Sequence, residues 1–309
     1  MLSILIPTYN FDCLPLIREL HDQCEVMLTV DHAFDYEIII ADDCSSRRDV
    51  VRTLRDAVQS MGVRVKLLEL SNNLGRARVR NLLLREASGN WVLLIDSDAR
   101  TLHNDYVHKY WSVRHCAEVV VGGILHPLNV ERSYELRIVY ERSFEKERRI
   151  SWRNKHPYAH FSVFNLMARK DVISKFCFDT RCDDYGFEDF FLGIALEEQG
   201  VKVYHIDNPL LHTGIDTSEV FLSKVETSAR TLSRLPKNLR CKTGLEVYAS
   251  RLRFFHLDAV YIKLLSCMQS VVRNQLLSKK PSILLLQLYK LFLYLKYTKE
   301  KQMNEINMI

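Results

Sequence analysis

The 309-residue sequence has no G-x-G-x-x-G turn after its first apolar segment and no lysine-bearing loop of the G-x-x-x-x-G-K-[ST] type. Both motifs hold phosphate through glycine backbone, so a dinucleotide-binding Rossmann domain and a P-loop nucleotidase are disfavoured. The eight cysteines contain no C-x-x-C pair. This argues against a zinc knot or a disulfide framework and favours reduced, packed thiols of a cytoplasmic protein.

Long apolar runs are also lacking. The most apolar segment, residues 282–296, is interrupted at Gln287 and Lys290 and is shorter than the roughly 20 residues of a membrane span. Residues 1–7 have no basic lead and are too short for the core of a secretory signal, so we predict a first strand there. We expect a cytoplasmic protein that lies, at most, at the inner face of the membrane.

Charge is unevenly distributed along the chain. The overall net charge is +5, but residues 236–309 hold 13 Lys and Arg against 4 Asp and Glu, whereas residues 1–235 hold 30 against 34. We therefore predict a slightly acidic body, 1–235, and a basic amphipathic helical tail, 236–309. The tail could meet anionic lipid through Lys279, Lys280, Lys290 and Lys296. Alternatively, its helices pack on the body or on a second subunit. Nucleic acid is disfavoured because no reader motif is present.

Strand and helix patterns alternate along the first 125 residues. Such alternation predicts an α/β fold with a mostly parallel sheet flanked by helices. Strands are predicted at 2–6, 36–41, 63–69, 91–95 and 118–122, and helices at 14–30, 47–59, 74–87 and 104–115. Further strands are predicted at 162–169 and 201–206, helical segments at 131–157 and beyond residue 219.

Four polar clusters follow the predicted strands: 7–10, 42–43, 71–73 and 96–98. Because ligands of parallel sheets bind beyond the carboxyl ends of the strands, we expect these clusters to share one site. Asp96 and Asp98 stand at i and i+2 on extended backbone, so their carboxylates face the same way and suit a hard divalent cation. The alternative is a polar turn with an aspartate that caps the next helix.

Two further groups of polar residues allow either a functional or a structural interpretation. Asp43 can accept a hydrogen bond from a base or ribose, and Tyr9 can cover a base edge, although both residues also suit turns. Arg76 or Arg80, one turn apart on a predicted helix, can pair with phosphate or with the acids at the sheet edge. The alternative for these arginines is surface salt bridging.

Taken together, five motifs resemble glycosyltransferase family 2. They are Pro7-Thr-Tyr-Asn10, Ile38-Ile-Ile-Ala-Asp42-Asp43-Cys-Ser-Ser46, Asn73-Leu-Gly-Arg-Ala-Arg-Val-Arg80-Asn81, Ala87-Ser-Gly-Asn-Trp91 and Asp96-Ser-Asp98. The resemblance covers about the first 230 residues. It implies a single GT-A fold with a Rossmann-like sheet and inverting, nucleotide-sugar-dependent sugar transfer. Cys44 departs from the family pattern, which commonly has Gly or Asn there.

The resemblance also implies residue roles in a donor site. Asp43 would hold the base, normally uracil, and Asp96 and Asp98 would form the family's D-x-D motif. A divalent metal, Mn²⁺ or Mg²⁺, would bridge the two phosphates and neutralise the leaving diphosphate. The implied nucleotide-sugar pocket comprises Pro7, Thr8, Tyr9, Asn10, Asp42, Asp43, Asn73, Arg76, Arg80, Asp96 and Ser97, and the implied metal ligands are Asp98, Asp96 and His212.

A second acidic motif, Glu188-Asp189, begins a predicted helix and resembles the family's E-D motif. An inverting displacement needs a carboxylate that takes the proton of the acceptor hydroxyl, and Asp189 is the candidate. Glu188 would bind an acceptor hydroxyl or orient its neighbour. Both acids could instead be helix-dipole partners. His212 could equally be a surface histidine, and His205 is expected to be structural.

We therefore predict a glycosyltransferase that moves a sugar from a nucleotide diphosphate, most simply UDP, to a hydroxyl of a glycan or lipid-linked acceptor. Residues 1–125 would form the nucleotide-sugar and metal half, and residues 126–235 the acceptor half. Two alternatives are a sugar-1-phosphate nucleotidyltransferase, disfavoured because a glycine-rich loop is missing after strand one, and a catalytically inactive sugar-nucleotide-binding partner subunit. The C-terminal helices could also support a homo-oligomer.

Overall fold

A computed structural model describes residues 1–127, 135–181 and 185–306 of the chain. The described residues divide into two compact units. The sheet unit comprises 1–127, 146–180 and 188–214, and the helical unit comprises the described parts of 128–145, 181–187 and 215–309. The division of labour predicted for 1–125, 126–235 and 236–309 stays a prediction.

The sheet unit is built on a seven-stranded, mostly parallel sheet of order β3-β2-β1-β4-β8-β6-β9. Strand β8 runs antiparallel to both of its neighbours, and the remaining strand pairs are parallel. A second, three-stranded sheet has the order β5-β10-β7. The strands are β1 (Leu2–Thr8), β2 (Tyr36–Asp42), β3 (Val65–Glu69), β4 (Trp91–Ile95), β5 (Ala99–Arg100), β6 (Val119–Val121), β7 (Ile124–Leu125), β8 (Asn165–Arg169), β9 (Val203–His205) and β10 (Leu210–His212).

Helices cover both faces of the large sheet because its central strands are apolar on both faces. In β1, Ile4 and Ile6 pack into one core cluster with helix α1, while Leu5 between them packs into the other with helix α3. The helices of this unit are α1 (Leu14–Val30), α2 (Arg48–Ser60), α3 (Arg76–Glu86), α4 (Tyr106–Val113), α6 (Ile150–Lys155), α7 (Lys170–Ile173) and α8 (Glu188–Glu198).

The predicted elements of the sheet unit are confirmed, with shorter bounds at several ends. The third strand begins at Val65 rather than at residue 63, and the strand predicted at 162–169 begins at Asn165. Glycine 62, with φ +80°, makes the turn before β3 and explains the later start. The small sheet was not predicted, because strands of two or three residues carry no readable periodicity.

The helical unit is formed by α5 (Glu135–Arg142), α9 (Ser218–Arg234), α10 (Lys237–Arg240), α11 (Gly244–Phe254), α12 (Asp258–Cys267), α13 (Gln269–Leu276) and α14 (Ile283–Ile306). Its core joins apolar side chains of α9 and α14, among them Leu222, Val225, Leu286, Tyr289 and Phe292. Much of the most apolar segment of the tail is therefore covered by protein, whereas Leu284 and Leu288 are exposed. Among the described residues, no helix combines the length and the apolar character needed to cross a bilayer.

One lysine of the predicted lipid contact also faces the protein. The ammonium of Lys290 lies 4.2 Å from the centre of the Tyr140 ring, and burial lowers its pKa to about 8. Of the alternatives for the tail, the structure shows helix α14 packed within its own chain. Oligomerisation through these helices stays a prediction.

Candidate active site

The carboxyl ends of three central strands meet at one edge of the large sheet. Strands β2 and β4 both pair in parallel with β1, with Thr8 opposite Asp42 and Leu5 opposite Leu94. The loops that follow these strands therefore emerge side by side, and they carry the polar clusters that the sequence analysis singled out. Three of the four predicted polar clusters, 7–10, 42–43 and 96–98, therefore lie at the same end of the sheet.

A hydrogen-bond network fixes the loops after β1 and β2. Asn10, in the left-handed region at φ +54°, donates its backbone N–H to Ser45 Oγ at 2.7 Å and accepts from the backbone N–H of Ser46 at 2.8 Å through its side chain. Buried Asp42 accepts from the backbone N–H of Ser45 at 3.1 Å and from its hydroxyl. Asn10 and Asp42 therefore both bind Ser45, which links the loops after β1 and β2.

Asp43 is engaged by backbone donors on both carboxylate oxygens. Its Oδ1 accepts from the N–H of Leu74 at 2.6 Å, and its Oδ2 accepts from the N–H of Gly75 at 3.0 Å. The side-chain amide of Asn73 donates to the Asp43 carbonyl at 3.0 Å. Asp43 therefore holds the loop that begins α3, and its predicted contact with the base stays a prediction.

The backbone at Cys44 shows why the family pattern commonly has Gly or Asn at this position. Cys44 adopts φ +61°, a backbone conformation that favours Gly and tolerates Asn. The thiol donates to the carbonyl of Ser71 at 3.4 Å. The loop therefore keeps the left-handed turn with a residue that is not suited to it.

The remaining predicted pocket residues line the same rim. Tyr9 is about half exposed (52%), which leaves its ring accessible to a ligand. Thr8 is buried and donates its hydroxyl to the carbonyl of Phe11 at 3.2 Å. Pro7 and Ser97 are partly buried.

Arg80 connects the two acidic motifs. Its Nη2 donates to Asp96 Oδ1 at 2.6 Å, and its Nη1 lies 3.6 Å from Glu188 Oε1 and 3.6 Å from Asp189 Oδ1. Its side chain is 3% exposed. Arg76, one turn earlier on the same helix face and half exposed, places Nη1 3.6 Å from Glu188 Oε1. Both arginines thus pair with acids at the sheet edge.

The close charges in this cluster change the proton affinities of its members. Burial would lower the pKa of the Arg80 guanidinium, but Asp96, Asp189 and Glu188 together raise it. Burial would raise the pKa of Asp96, but Arg80 outweighs burial and lowers it. Burial raises the pKa of Asp189 to about 6, because Glu188 and Asp96 add to the rise while Arg80 only partly opposes it. With its pKa raised in this way, the Asp189 carboxyl can gain or lose a proton near neutral pH.

Hydrogen bonds anchor Asp189 through Oδ2, while its Oδ1 faces Arg80 Nη1 at 3.6 Å. Its Oδ2 accepts from the N–H of Val163 at 3.1 Å and from the hydroxyl of Ser162 at 3.1 Å. Among the described residues, buried Asp189 Oδ1 and Glu188 Oε2 have no hydrogen-bond partner. Buried acceptors without partners are costly, and they are characteristic of sites that bind a substrate.

Asp98 is paired with His212 by the small sheet. His212 Nε2 lies 3.0 Å from Asp98 Oδ2, since β5 and β10 run antiparallel with His212 opposite Ala99. Thr213 donates its backbone N–H to the Asp98 carbonyl at 2.8 Å. Gly214 leaves room for the carboxylate, because a Cβ there would lie 2.5 Å from Asp98 Oδ2. The sequence suggested both residues, but not the two short strands that join them.

These residues fit a divalent cation. Asp98 and His212 offer oxygen and nitrogen donors, a combination that suits Mn²⁺ better than Mg²⁺, and the buried His212 Nδ1 has no hydrogen-bond partner within the described chain. Within that part of the chain, no three His, Cys, Asp or Glu side chains gather as a closed metal site. Asp96, the third predicted ligand, is held by Arg80. Asp98 and His212 could therefore supply two ligands to a divalent cation, and phosphate and water would supply the others.

His205 is structural, as expected. Its Nδ1 lies 3.2 Å from Arg153 Nη1, and its Nε2 lies 2.9 Å from the carbonyl of Pro157. Burial lowers its pKa to about 4, so the ring is neutral at physiological pH.

Comparison with known proteins agrees with the fold and the motifs. The family model described as glycosyl transferase family 2 matches residues 3–176. An uncharacterized glycosyltransferase of Haemophilus influenzae is 35% identical over 99 residues, covering 32% of this chain and 29% of the relative. The poly(ribitol-phosphate) beta-N-acetylglucosaminyltransferase TarS of Staphylococcus aureus is 31% identical over 111 residues, covering 35% of this chain and 17% of the relative. The chain thus matches less than a third of the length of these two relatives.

A solved structure shares the fold across nearly the whole chain. It is the mannosyltransferase PcManGT from Pyrobaculum calidifontis in complex with GDP-Man and Mn²⁺. The TM-score is 0.52 with 14% sequence identity, and the superposition covers 98% of this chain and 86% of that protein. The mostly parallel sheet flanked by helices is therefore of the GT-A type.

Proposed function

The chain belongs to glycosyl transferase family 2, and we propose that it transfers a sugar from a nucleotide diphosphate sugar to a hydroxyl group with inversion at the anomeric carbon. One observation carries the proposal. Buried Arg80 joins Asp96, at the end of β4, to Glu188 and Asp189, at the start of α8. A donor-side acid and a candidate base thus share one charged cluster at the edge where such sheets bind ligands.

The donor would bind with its nucleotide along the rim formed by Tyr9, Asn10 and the loop held by Asp43. We propose UDP as the nucleotide, because TarS, a relative over part of the chain, is an N-acetylglucosaminyltransferase. A UDP-hexose or UDP-N-acetylhexosamine is then the donor class. Arg76, half exposed above Glu188, would approach the diphosphate as a cationic partner.

Asp98 and His212 would hold the divalent cation, and a bound cation neutralises charge that develops on the leaving diphosphate. The PcManGT structure contains Mn²⁺, which supports Mn²⁺ as the first metal to test. Asp96 would contribute through its ion pair with Arg80 rather than as a ligand of its own.

Asp189 would act as the general base. Its Oδ1 takes the proton of the acceptor hydroxyl, the hydroxyl oxygen attacks the anomeric carbon, and the bond from that carbon to the diphosphate breaks. The free nucleoside diphosphate leaves on the opposite face. Glu188, whose Oε2 has no hydrogen-bond partner among the described residues, would accept a hydrogen bond from another acceptor hydroxyl. The acceptor itself would be a hydroxyl of a glycan or of a lipid-linked sugar.

Calorimetric titration with UDP tests the donor half of this proposal. We expect UDP to bind more tightly with Mn²⁺ than with a chelator, and we expect Asp98→Ala to remove that gain. Asp171→Asn is the control, because this acid is exposed and pairs with Arg169 at the surface. Equal affinity of the parent protein for UDP with Mn²⁺ and with a chelator would contradict the metal assignment.

A further inference from the structure

Exposed apolar side chains are concentrated in residues 247–271 of the helical unit. Isolated exposed apolar residues are ordinary, but a dense group of them marks an interaction surface. We call this group the apolar face, and its members are Val247, Tyr248, Phe254, Phe255, Leu257, Val260, Leu264, Met268 and Val271.

Part of the apolar face forms a short stripe on α12. Val260 and Leu264, four residues apart, share one face of that helix, while Met268, between α12 and α13, and Val271, on α13, are exposed as well. The opposite side of the same helices is buried through Leu265, Val272 and Leu276. The stripe is therefore held outward by helices that are already anchored to a core.

The most exposed members form an aromatic corner. Phe254 and Phe255 are 78% and 65% exposed, and their rings touch edge to face with centroids 5.1 Å apart. They end α11, and His256 follows in the left-handed region at φ +55°, so the chain turns sharply beside the two rings. Phenylalanine is typical of the apolar side of helices that lie in the membrane interface.

Basic residues flank the apolar face. Arg251 and Lys263 are exposed beside the aromatic corner and the stripe, and residues 236–309 carry a net charge of +9. A symmetric dimer through this face would bury two equally basic surfaces against each other, which is unfavourable. An anionic surface complements both the charge and the apolar side chains.

We propose that the apolar face docks on an anionic lipid surface, with Phe254 and Phe255 entering the headgroup region. Helix α14 is not the main contact, because most of its apolar side chains lie in the protein core and few of them, among them Leu284 and Leu288, are exposed. The docking is independent of sugar transfer and needs no nucleotide.

Co-sedimentation with vesicles tests the docking. Phosphatidylcholine vesicles with roughly one third phosphatidylglycerol should pellet the full chain, and pure phosphatidylcholine should pellet far less. The double variant F254S/F255S should lower the partition coefficient by at least about tenfold. V30S/V63S is the matched control, since both valines are also exposed, but in the sheet unit, and it should partition like the parent.

Two further measurements test the contribution of the basic residues and the location of the lipid contact. R251E/K263E should weaken binding to the anionic vesicles by about fivefold per residue at low salt. Hydrogen exchange should slow within 247–271 when vesicles are added. Three results would overturn the proposal. The parent protein does not bind the anionic vesicles, F254S/F255S partitions like the parent, or vesicles slow hydrogen exchange only outside residues 247–271. A parent that is dimeric without lipid and becomes monomeric on F254S/F255S would assign the face to a second copy instead.

Discussion

Arg80 Nη2 donates to Asp96 Oδ1 at 2.6 Å, within a cluster where the same guanidinium also faces two other carboxylates. One buried cation therefore offsets up to three negative charges. Removing it leaves those carboxylates close together with little access to water. Five consequences of this cluster and of the loops around it can be measured.

Arg80→Ala should destabilise the protein by about 3 kcal/mol at pH 7, because breaking a buried ion pair leaves uncompensated charge. The loss should shrink as the pH falls, since protonation of Asp96 and Asp189 removes the repulsion. Urea unfolding at pH 7 and pH 5 measures both effects. Arg76→Ala is the control and should cost less than about 1 kcal/mol, because Arg76 is half exposed. Equal costs for the two variants would contradict the central position of Arg80.

Asp189 should control the pH dependence of turnover. Its pKa is raised to about 6, and a general base works only when it is ionised. We expect kcat/KM to be level above pH 7 and to fall about tenfold per pH unit below pH 6. A profile measured with Mn²⁺ and a UDP-sugar checks this, and a level profile down to pH 5 would exclude Asp189 as the base.

Asp189→Asn should increase stability at pH 7 while it removes turnover. A carboxyl whose folded-state pKa is raised destabilises the folded protein above that pKa, and the cost disappears as the pH falls from about 6 towards the unfolded value. The neutral amide removes this cost, by about 1–3 kcal/mol. Thermal unfolding at pH 7 and pH 4.5 measures the difference, which should be small at the lower pH. A variant that is less stable than the parent at pH 7 would contradict the assigned charge state.

Gly214→Ala should disturb Asp98 without unfolding the protein. The added Cβ would lie 2.5 Å from Asp98 Oδ2, so the carboxylate must move. We expect the Mn²⁺ concentration needed for half-maximal UDP binding to rise by about tenfold, as for losses of groups that orient metal ligands. Gly244→Ala is the control, because nothing lies within 4 Å of its Cβ. Unchanged Mn²⁺ dependence in Gly214→Ala would separate Asp98 from the metal.

Cys44→Val should be less stable than Cys44→Asn by about 1–2 kcal/mol. Cys44 adopts φ +61°, where β-branched side chains are strained and Asn is tolerated. Both variants lose the thiol contact with Ser71, so the comparison isolates the backbone. Chemical unfolding of the two proteins side by side provides the measurement, and equal stabilities would show that the turn relaxes.

The central strands β1, β2 and β4 could be predicted from the sequence because they are largely apolar runs of seven, seven and five residues, each followed by a polar cluster. Residues 36–41 and 91–95, for example, are unbroken apolar or buried segments, and the structure places both in the central sheet. The acids at their ends were recognised for the same reason. The direction of β8 could not be inferred, since periodicity carries no information about strand direction.

Contacts between side chains that are distant in the sequence could not be predicted. The pair of Asp98 with His212 depends on two strands of two and three residues, and the position of Arg80 among three acids depends on how α3 packs. The sequence did not reveal that the Asp43 carboxylate accepts two backbone N–H groups, and its predicted contact with the base stays a prediction. Only the folded chain reveals which side chains already have partners.

The anomer released when water replaces the acceptor is the most direct test of inverting transfer with Asp189 as the base. Proton NMR of a UDP-α-sugar hydrolysed with Mn²⁺ should show the β-anomer first, before mutarotation, and Asp189→Asn should release almost none. If the α-anomer appears first, or if Asp189→Asn hydrolyses the donor as fast as the parent, inverting transfer with Asp189 as the base is contradicted.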